Sequence, residues 1–299
     1  MKFINKTILL FGLLTAAISA SAKTTGPEIS IEATIEKSAY VGEVLEYTVT
    51  LLSTEANIAN VKIVKNNTFP REAKVINGAT RNGRPQTVQK GGKTYYSWTI
   101  QKDYLIFDNP GKYTIDKAEY AVYIPHTKAV RDNFWGMRQY VEYEEVAATG
   151  NAVSFKVEQL PKKGEGSCDG VGDFTVEGWF PPGAINVGSE AYCIFKISGE
   201  GYLSDLNISE IYKCFKENCQ LKEVEPEEEF KQRNGMLWSE VTLVCKFIPQ
   251  KADFKIEPFC LKFFSPDKKS YYDACSDTLE GSQQKKPERK TRDNNAVSI

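Results

Sequence analysis

The sequence predicts an all-β protein made of two immunoglobulin-like β-sandwich domains in tandem. A repeated phrase is the first reason. Ile35-Glu36-Lys37-Ser38-Ala39-Tyr40-Val41-Gly42-Glu43 leads into the alternating run Val44 to Leu51, and Phe180 to Glu190 leads into Tyr192 to Ile197. Laying Gly42 on Gly188 places Tyr47, Val49 and Leu51 on Cys193, Phe195 and Ile197. Apolar side chains at period two, opened by a turn, mark a half-buried strand. The second reason is punctuation: short alternating runs are separated by Asn77-Gly78, Asn82-Gly83 and Gly91-Gly92, as in a sandwich. The third is composition, since aromatics reach 12% and are mostly Tyr and Phe, which suit a pleated surface.

The N-terminus is expected to be removed. Met1 to Lys6 supplies a positive region, Ile8 to Ile18 a short apolar stretch, and Ala20-Ser21-Ala22 an A-x-A cleavage site. Residues 1–22 therefore read as a signal peptide. The mature chain from Lys23 is expected in the periplasm or on the extracellular side of an envelope. The apolar stretch is short for crossing a bilayer, and no later segment reaches the required length, so the mature chain is expected to contain no direct membrane span. With 38 basic and 39 acidic residues, no whole-molecule field favours nucleic acid.

The first domain is expected over 23–160. Its strand candidates are Ser30–Ile35, Val44–Leu52, Val61–Lys65, Tyr95–Gln101, Gly111–Ile115, Glu119–Ile124 and Ala152–Glu158. Residues 161–172 are Gly-rich, charged and aperiodic, as a linker is. The second domain is expected over 173–280, with strands at Thr175–Phe180, Glu190–Ile197, Leu221–Val224, Leu237–Phe247, Asp253–Ile256, Phe259–Phe264 and Tyr271–Ala274. Tyr202–Glu217 carries the one weak helical pattern. The repeat continues: Gly92 with Trp98, then Tyr113 and Ile115, mirror Gly235 with Trp238, then Phe254 and Ile256. Residues 281–299 have no apolar pattern and read as a disordered polar tail.

All seven Cys lie between 168 and 275, which in an exported chain points to disulfides confined to the second domain. Cys260 and Cys275 flank Ser265 to Ser270 symmetrically and can face each other across a hairpin. Cys193 and Cys245 both fall on apolar strand faces, so a bridge between two sheets is expected there. Cys214 and Cys219 can close a short loop, leaving Cys168 as the odd one. Their x4 spacing fits neither a redox C-x-x-C nor the usual zinc knuckles.

Catalytic constellations are hard to assemble. His126 is the only His, which excludes Ser-His-Asp, Cys-His and multi-His metal sites within one chain. It follows Ile124-Pro125 and reads as a surface loop residue. No G-x-S-x-G, phosphate-cradling loop or dinucleotide fingerprint occurs. The run Glu223 to Glu229 lacks the spaced ligands of a Ca²⁺ loop and reads as a solvated acidic turn. No catalytic, metal or cofactor site is expected. A carboxylate or thiol enzyme is an alternative, as is an adhesin or glycan-binding module. The segment Thr127 to Tyr140 is a long connection carrying Phe134, Trp135, Met137, Arg138 and Tyr140, residue types common at interface hot spots. Phe134, Trp135, Arg138 and Tyr140 are the candidate partner contacts. The opposing expectation is that Phe134 and Trp135 fold back over the sandwich end.

Tyr40-Val41-Gly42-Glu43, Tyr95-Tyr96-Ser97-Trp98-Thr99-Ile100 and Pro110-Gly111-Lys112-Tyr113-Thr114-Ile115 together resemble the first domain of the BatD oxygen-tolerance family. Leu160-Pro161 to Gly172-Asp173-Phe174, then Ile197-Ser198-Gly199-Glu200-Gly201-Tyr202-Leu203, is similar to that family's junction and second domain. The resemblance implies exported β-sandwich modules facing the periplasm and linked to aerotolerance and envelope stress. It also implies protein partners, von Willebrand A-domain membrane proteins of the same system among them, in a non-enzymatic scaffold role. Family members are commonly longer and carry a C-terminal membrane helix, whereas this chain ends in a basic polar tail. The Phe134–Tyr140 insertion and the seven Cys are further departures.

Overall fold

The computed structural model describes residues 26–281, apart from 37, 79–83, 133, 135, 163–167, 204, 205, 207 and 217. The expected signal peptide, the Asn82-Gly83 pair, residues 163–167 of the expected linker and the expected tail after Gly281 lie outside the described residues. Within them the chain is all-β, with several sheets and one short helix.

Strands β1 (Ile29–Thr34), β3 (Leu45–Ser53), β5 (Ala73–Asn77), β6 (Gln86–Lys90) and β7 (Lys93–Phe107) form one sheet. Its path is β1-β3-β7, with β5 and β6 both pairing β7. Two three-stranded sheets join it: β2 (Ser38–Tyr40), β11 (Val153–Glu158) and β8 (Gly111–Ile115), then β10 (Gly136–Thr149), β9 (Glu119–Asp132) and β4 (Asn60–Lys65). Between these layers lie Leu45, Tyr47, Val49, Leu51, Leu105, Phe107, Ile115, Val122 and Phe155, all buried.

The rest of the chain builds a second core. A six-stranded sheet runs β14 (Cys219–Arg233), β15 (Met236–Pro249), β13 (Ala191–Tyr202), β12 (Gly170–Trp179), β17 (Cys260–Ser265) and β18 (Ser270–Cys275). A two-stranded sheet, β16 (Phe254–Ile256) with β19 (Leu279–Gly281), and the short helix α1 (Ile211–Cys214) complete this half. Phe195, Phe247, Phe259 and Phe263 are fully buried in this core. Burying each such side chain contributes about 1.5–3 kcal/mol relative to leaving it in water.

The repeated phrase performs the same task twice. The Gly42 N–H donates to the carbonyl of Phe107 at the end of β7, and the Gly188 N–H donates to that of Pro249 at the end of β15, each at 2.9 Å. Both glycines have positive φ, 82° and 75°, in the left-handed region where side chains are unfavourable. Each turn then feeds a strand paired antiparallel with that long partner: β3 with β7, and β13 with β15. The Gly92 and Gly235 turns likewise join β6 to β7 and β14 to β15. Beyond that shared path the halves differ, because the β17–β18 hairpin extends the second sheet past β12.

Several strands run past their predicted ends. β7 extends from Lys93 to Phe107 rather than stopping at Gln101. β12 opens at Gly170, inside the segment that composition marks as linker, through parallel pairing with Phe263 and Phe264. The expected helical pattern over Tyr202–Glu217 reduces to a 3-10 turn, Ile208–Glu210, and the four residues of α1. The Gly199-Glu200-Gly201 phrase has a packing reason. Gly199 lies opposite Phe174 and Gly201 opposite Gly172 across β12 and β13. The Tyr272 hydroxyl crosses to this ladder, accepting from the Phe174 N–H at 2.6 Å and bonding the Gly172 carbonyl at 3.0 Å. A methyl group on Gly199 would sit 2.1 Å from the Asp173 carbonyl oxygen. Gly199→Ala is therefore expected to lower the unfolding free energy by about 3 kcal/mol, measured by urea denaturation; an unchanged midpoint would contradict this packing.

Candidate functional site

Strands β9 and β10 form a long hairpin, with a continuous antiparallel register from Glu119–Thr149 to Asp132–Gly136. Strand β4 accompanies β9 only as far as Tyr123, opposite Asn60. Beyond that rung the two arms pair with each other, and at about 3.3 Å per residue the outer part of the hairpin extends about 30 Å. The base is held by Tyr120, Val122 and Ile124, all buried.

The expected loop Thr127 to Tyr140 is thus corrected to the end of a hairpin, and His126 is a strand residue rather than a loop residue. Its Nε2 lies 2.7 Å from Glu144 Oε2. Phe134 occupies the turn and is 88% exposed, so it does not fold back over the sandwich. Trp135 lies outside the described residues. Arg138 and Tyr140 are opposite Val130 and Lys128, on the face that also carries His126, Glu142 and Glu144, with Lys128 paired to Glu142.

The other face went unrecognised. Alternation places Met137, Gln139, Val141 and Tyr143 together, opposite Arg131, Ala129, Thr127 and Pro125. Met137 is 68% exposed and Tyr143 62%, with Val141 between them also exposed. At the inner end of this face the Glu145 carboxylate accepts the Tyr123 hydroxyl, which raises the tyrosine pKa. Sequence alternation over Met137 to Tyr143 was the available signal. Pro125 concealed it, because proline usually ends a strand; here it falls just past the last rung shared with β4.

A groove of about 540 Å³ opens where the two halves meet, lined by Glu36, Glu43, Val171, Glu200, Leu237 and Asp267 among others. The Tyr104 hydroxyl donates to the Gly235 carbonyl at 2.7 Å beside it, and the Tyr40 and Phe264 rings meet edge-on at 4.9 Å. Burial pushes the Glu43 carboxyl up, and Glu36 and Asp267 add to this against the Tyr40 N–H that it accepts. Burial also raises Glu200, reinforced by Asp267 and Asp173. These carboxylates repel one another across the groove. Among the described residues no group of three or more His, Cys, Asp or Glu side chains is placed to hold a metal ion.

The cysteines divide differently from the expectation. Cys260 and Cys275 lie opposite each other on β17 and β18 and are joined as a disulfide. Cys193 and Cys245 also lie opposite each other, but on β13 and β15 of one sheet. They do not bridge two sheets, and both thiols are free. The neighbouring Cys245 thiol, with burial, pushes the Cys193 thiol far up and keeps it protonated. Cys214 and Cys219 are not bridged either: the Cys214 thiol is directed at the Glu210 and Pro258 carbonyls. Burial raises both to about 11. Cys193, Cys214 and Cys219 are therefore inert core thiols at neutral pH. Cys168 is free and donates to the Gly170 carbonyl at 2.9 Å.

No protein-family model matches the chain, and no curated protein matches it.

The groove carries a signed pH dependence. A carboxyl whose folded pKa exceeds its unfolded value holds its proton more tightly in the folded state. Stability from Glu43 is therefore present below about pH 4 and lost as pH rises through its folded pKa. Glu43→Gln keeps an acceptor for the Tyr40 N–H. It is expected to unfold at a higher temperature than the parent at pH 7, with the difference closing as pH falls below the carboxylate range. Thermal unfolding at several pH values checks this, and a less stable variant at pH 7 would contradict it.

Proposed function

We propose that this chain is an exported, non-enzymatic protein of the BatD type, built on tandem immunoglobulin-like sandwiches, that holds a protein partner at the cell envelope. The observation that carries this reading is the β9–β10 arm. It keeps Met137, Val141 and Tyr143 in water on one face of a preformed ladder, and exposed apolar surface of this kind marks interaction sites. A rigid arm loses little conformational freedom on binding, which favours affinity. The burial of Cys193, Cys214, Cys219 and Cys245 in the core supports a binding role over thiol chemistry. By the BatD resemblance, the partner is a von Willebrand A-domain membrane protein of the same system.

The test is capture from a detergent-solubilised envelope by the whole mature protein, with Val141→Lys/Tyr143→Ser as the comparison. Both positions are exposed, so the fold should be unaffected. Specific capture is expected to fall about tenfold or more in the variant, as at interface hot spots. Capture undiminished by the double substitution would remove the arm as the contact element.

A further inference from the structure

The apex of the arm differs in chemistry from its face. Phe134 stands at the turn, and the second and third rungs below it are Arg131–Met137 and Val130–Arg138. Met137 and Val130 are exposed. One arginine therefore stands on each face, about 7–10 Å from the apex at the spacing of strand residues. Lys128 and Tyr140 follow two rungs further back, and only then come Glu142, Glu144 and Glu145. Between 127 and 141 there are three basic residues against one acidic residue, Asp132.

We propose that this apex docks on an anionic phospholipid bilayer. Phe134 and Met137 enter the boundary between headgroups and acyl chains, and Arg131 and Arg138 meet the lipid phosphates. Interfacial segments bury their apolar groups to about 5–10 Å, which is the depth of the first three rungs. Basic residues at headgroup level are attracted to anionic lipid over about a Debye length of 8 Å. Glu142 begins about 13 Å behind Arg138 along the ladder, outside that range, so within it Asp132 of the first rung is the one acidic residue against Arg131 and Arg138. Apart from Asp132, the order along the arm (apolar, basic, acidic) matches the layers of a bilayer surface. A flat surface also meets the farthest point of a projecting hairpin first. Among the described residues no helix is long and apolar enough to cross a membrane. The inference rests on export, and it places a captured membrane partner on the same side of the bilayer as the arm.

Co-sedimentation of the whole mature protein with phosphatidylglycerol/phosphatidylethanolamine vesicles tests this, against pure phosphatidylcholine vesicles and at two salt concentrations. Binding is expected to be about tenfold or more stronger on the anionic vesicles and weakened by salt. Phe134→Ser and Arg131→Glu/Arg138→Glu are each expected to lose about tenfold, with unfolding curves overlaying the parent, and Phe134→Trp is expected to retain binding. The inference is overturned by no binding to anionic vesicles, by equal binding to phosphatidylcholine, or by variants that bind like the parent. It is also overturned if Phe134→Ser abolishes envelope protein capture while leaving vesicle binding intact, which would make the apex a protein contact. Loss of capture in Val141→Lys/Tyr143→Ser with unchanged vesicle binding supports both readings. Capture undiminished in that variant with intact vesicle binding overturns the protein-contact reading alone.

Discussion

Strand register is the constraint on which everything else in the molecule depends. In each half a glycine turn is tied to the far end of a long strand, Gly42 to Phe107 and Gly188 to Pro249. That single bond sets which residue of the following strand faces which residue of the long one. A slip of one position would turn every inward side chain to solvent. Equivalent rungs then carry different chemistry: Tyr47 opposite Asp103 in one half, Cys193 opposite Cys245 in the other. The first pair sits in a hydrogen-bonded network, with Gln101 donating to Asp103 at 2.7 Å and Tyr120 to Gln101 at 3.2 Å. The second is a pair of buried free thiols among phenylalanines. One scaffold accepts either filling because the backbone ladder, and not the pair, sets the geometry.

The same register logic produces the arm. Where β4 ends, the β9–β10 ladder continues with no third strand beside it among the described residues, and alternation sorts its side chains into an ionic face and an apolar face. In the sheets above, the equivalent inward face is covered by a second layer. On the arm it remains open, so a feature that elsewhere builds the core becomes a contact surface. The groove between the halves is the electrostatic counterpart. It is held by Tyr104 and by the Tyr40–Phe264 contact, while its carboxylates push against closure.

Much of the strand framework was legible because alternation and glycine turns are local signals. The β8 bounds follow directly from Gly111–Ile115, and the Cys260–Cys275 bridge follows from symmetry about one turn. Other features depended on partners far away in the chain. β5 and β6 lack clear alternation and exist by pairing with β7. Cys193 and Cys245 share an apolar face, but facing inward does not say which strand is the neighbour, so adjacent strands were mistaken for opposing sheets. The arm's apolar face was hidden by Pro125, and the groove was invisible because its acids come from Glu36, Glu43, Glu200 and Asp267, separated by up to 231 residues of chain. The BatD resemblance rests on spaced phrases that the fold explains as turn and packing positions, Gly42, Gly199 and Gly201 among them.

The central claim is that the arm is preformed in the free protein. Amide hydrogen exchange over 124–132 and 136–144, read by mass spectrometry on the whole protein, tests it most directly. A two-stranded ladder anchored at a buried base should protect its cross-strand amides at least about tenfold relative to an unfolded chain, with protection rising from the Phe134 turn toward Ile124. Exchange across both segments at unfolded rates would contradict the account, because the apolar face would then not exist until a partner or a membrane created it.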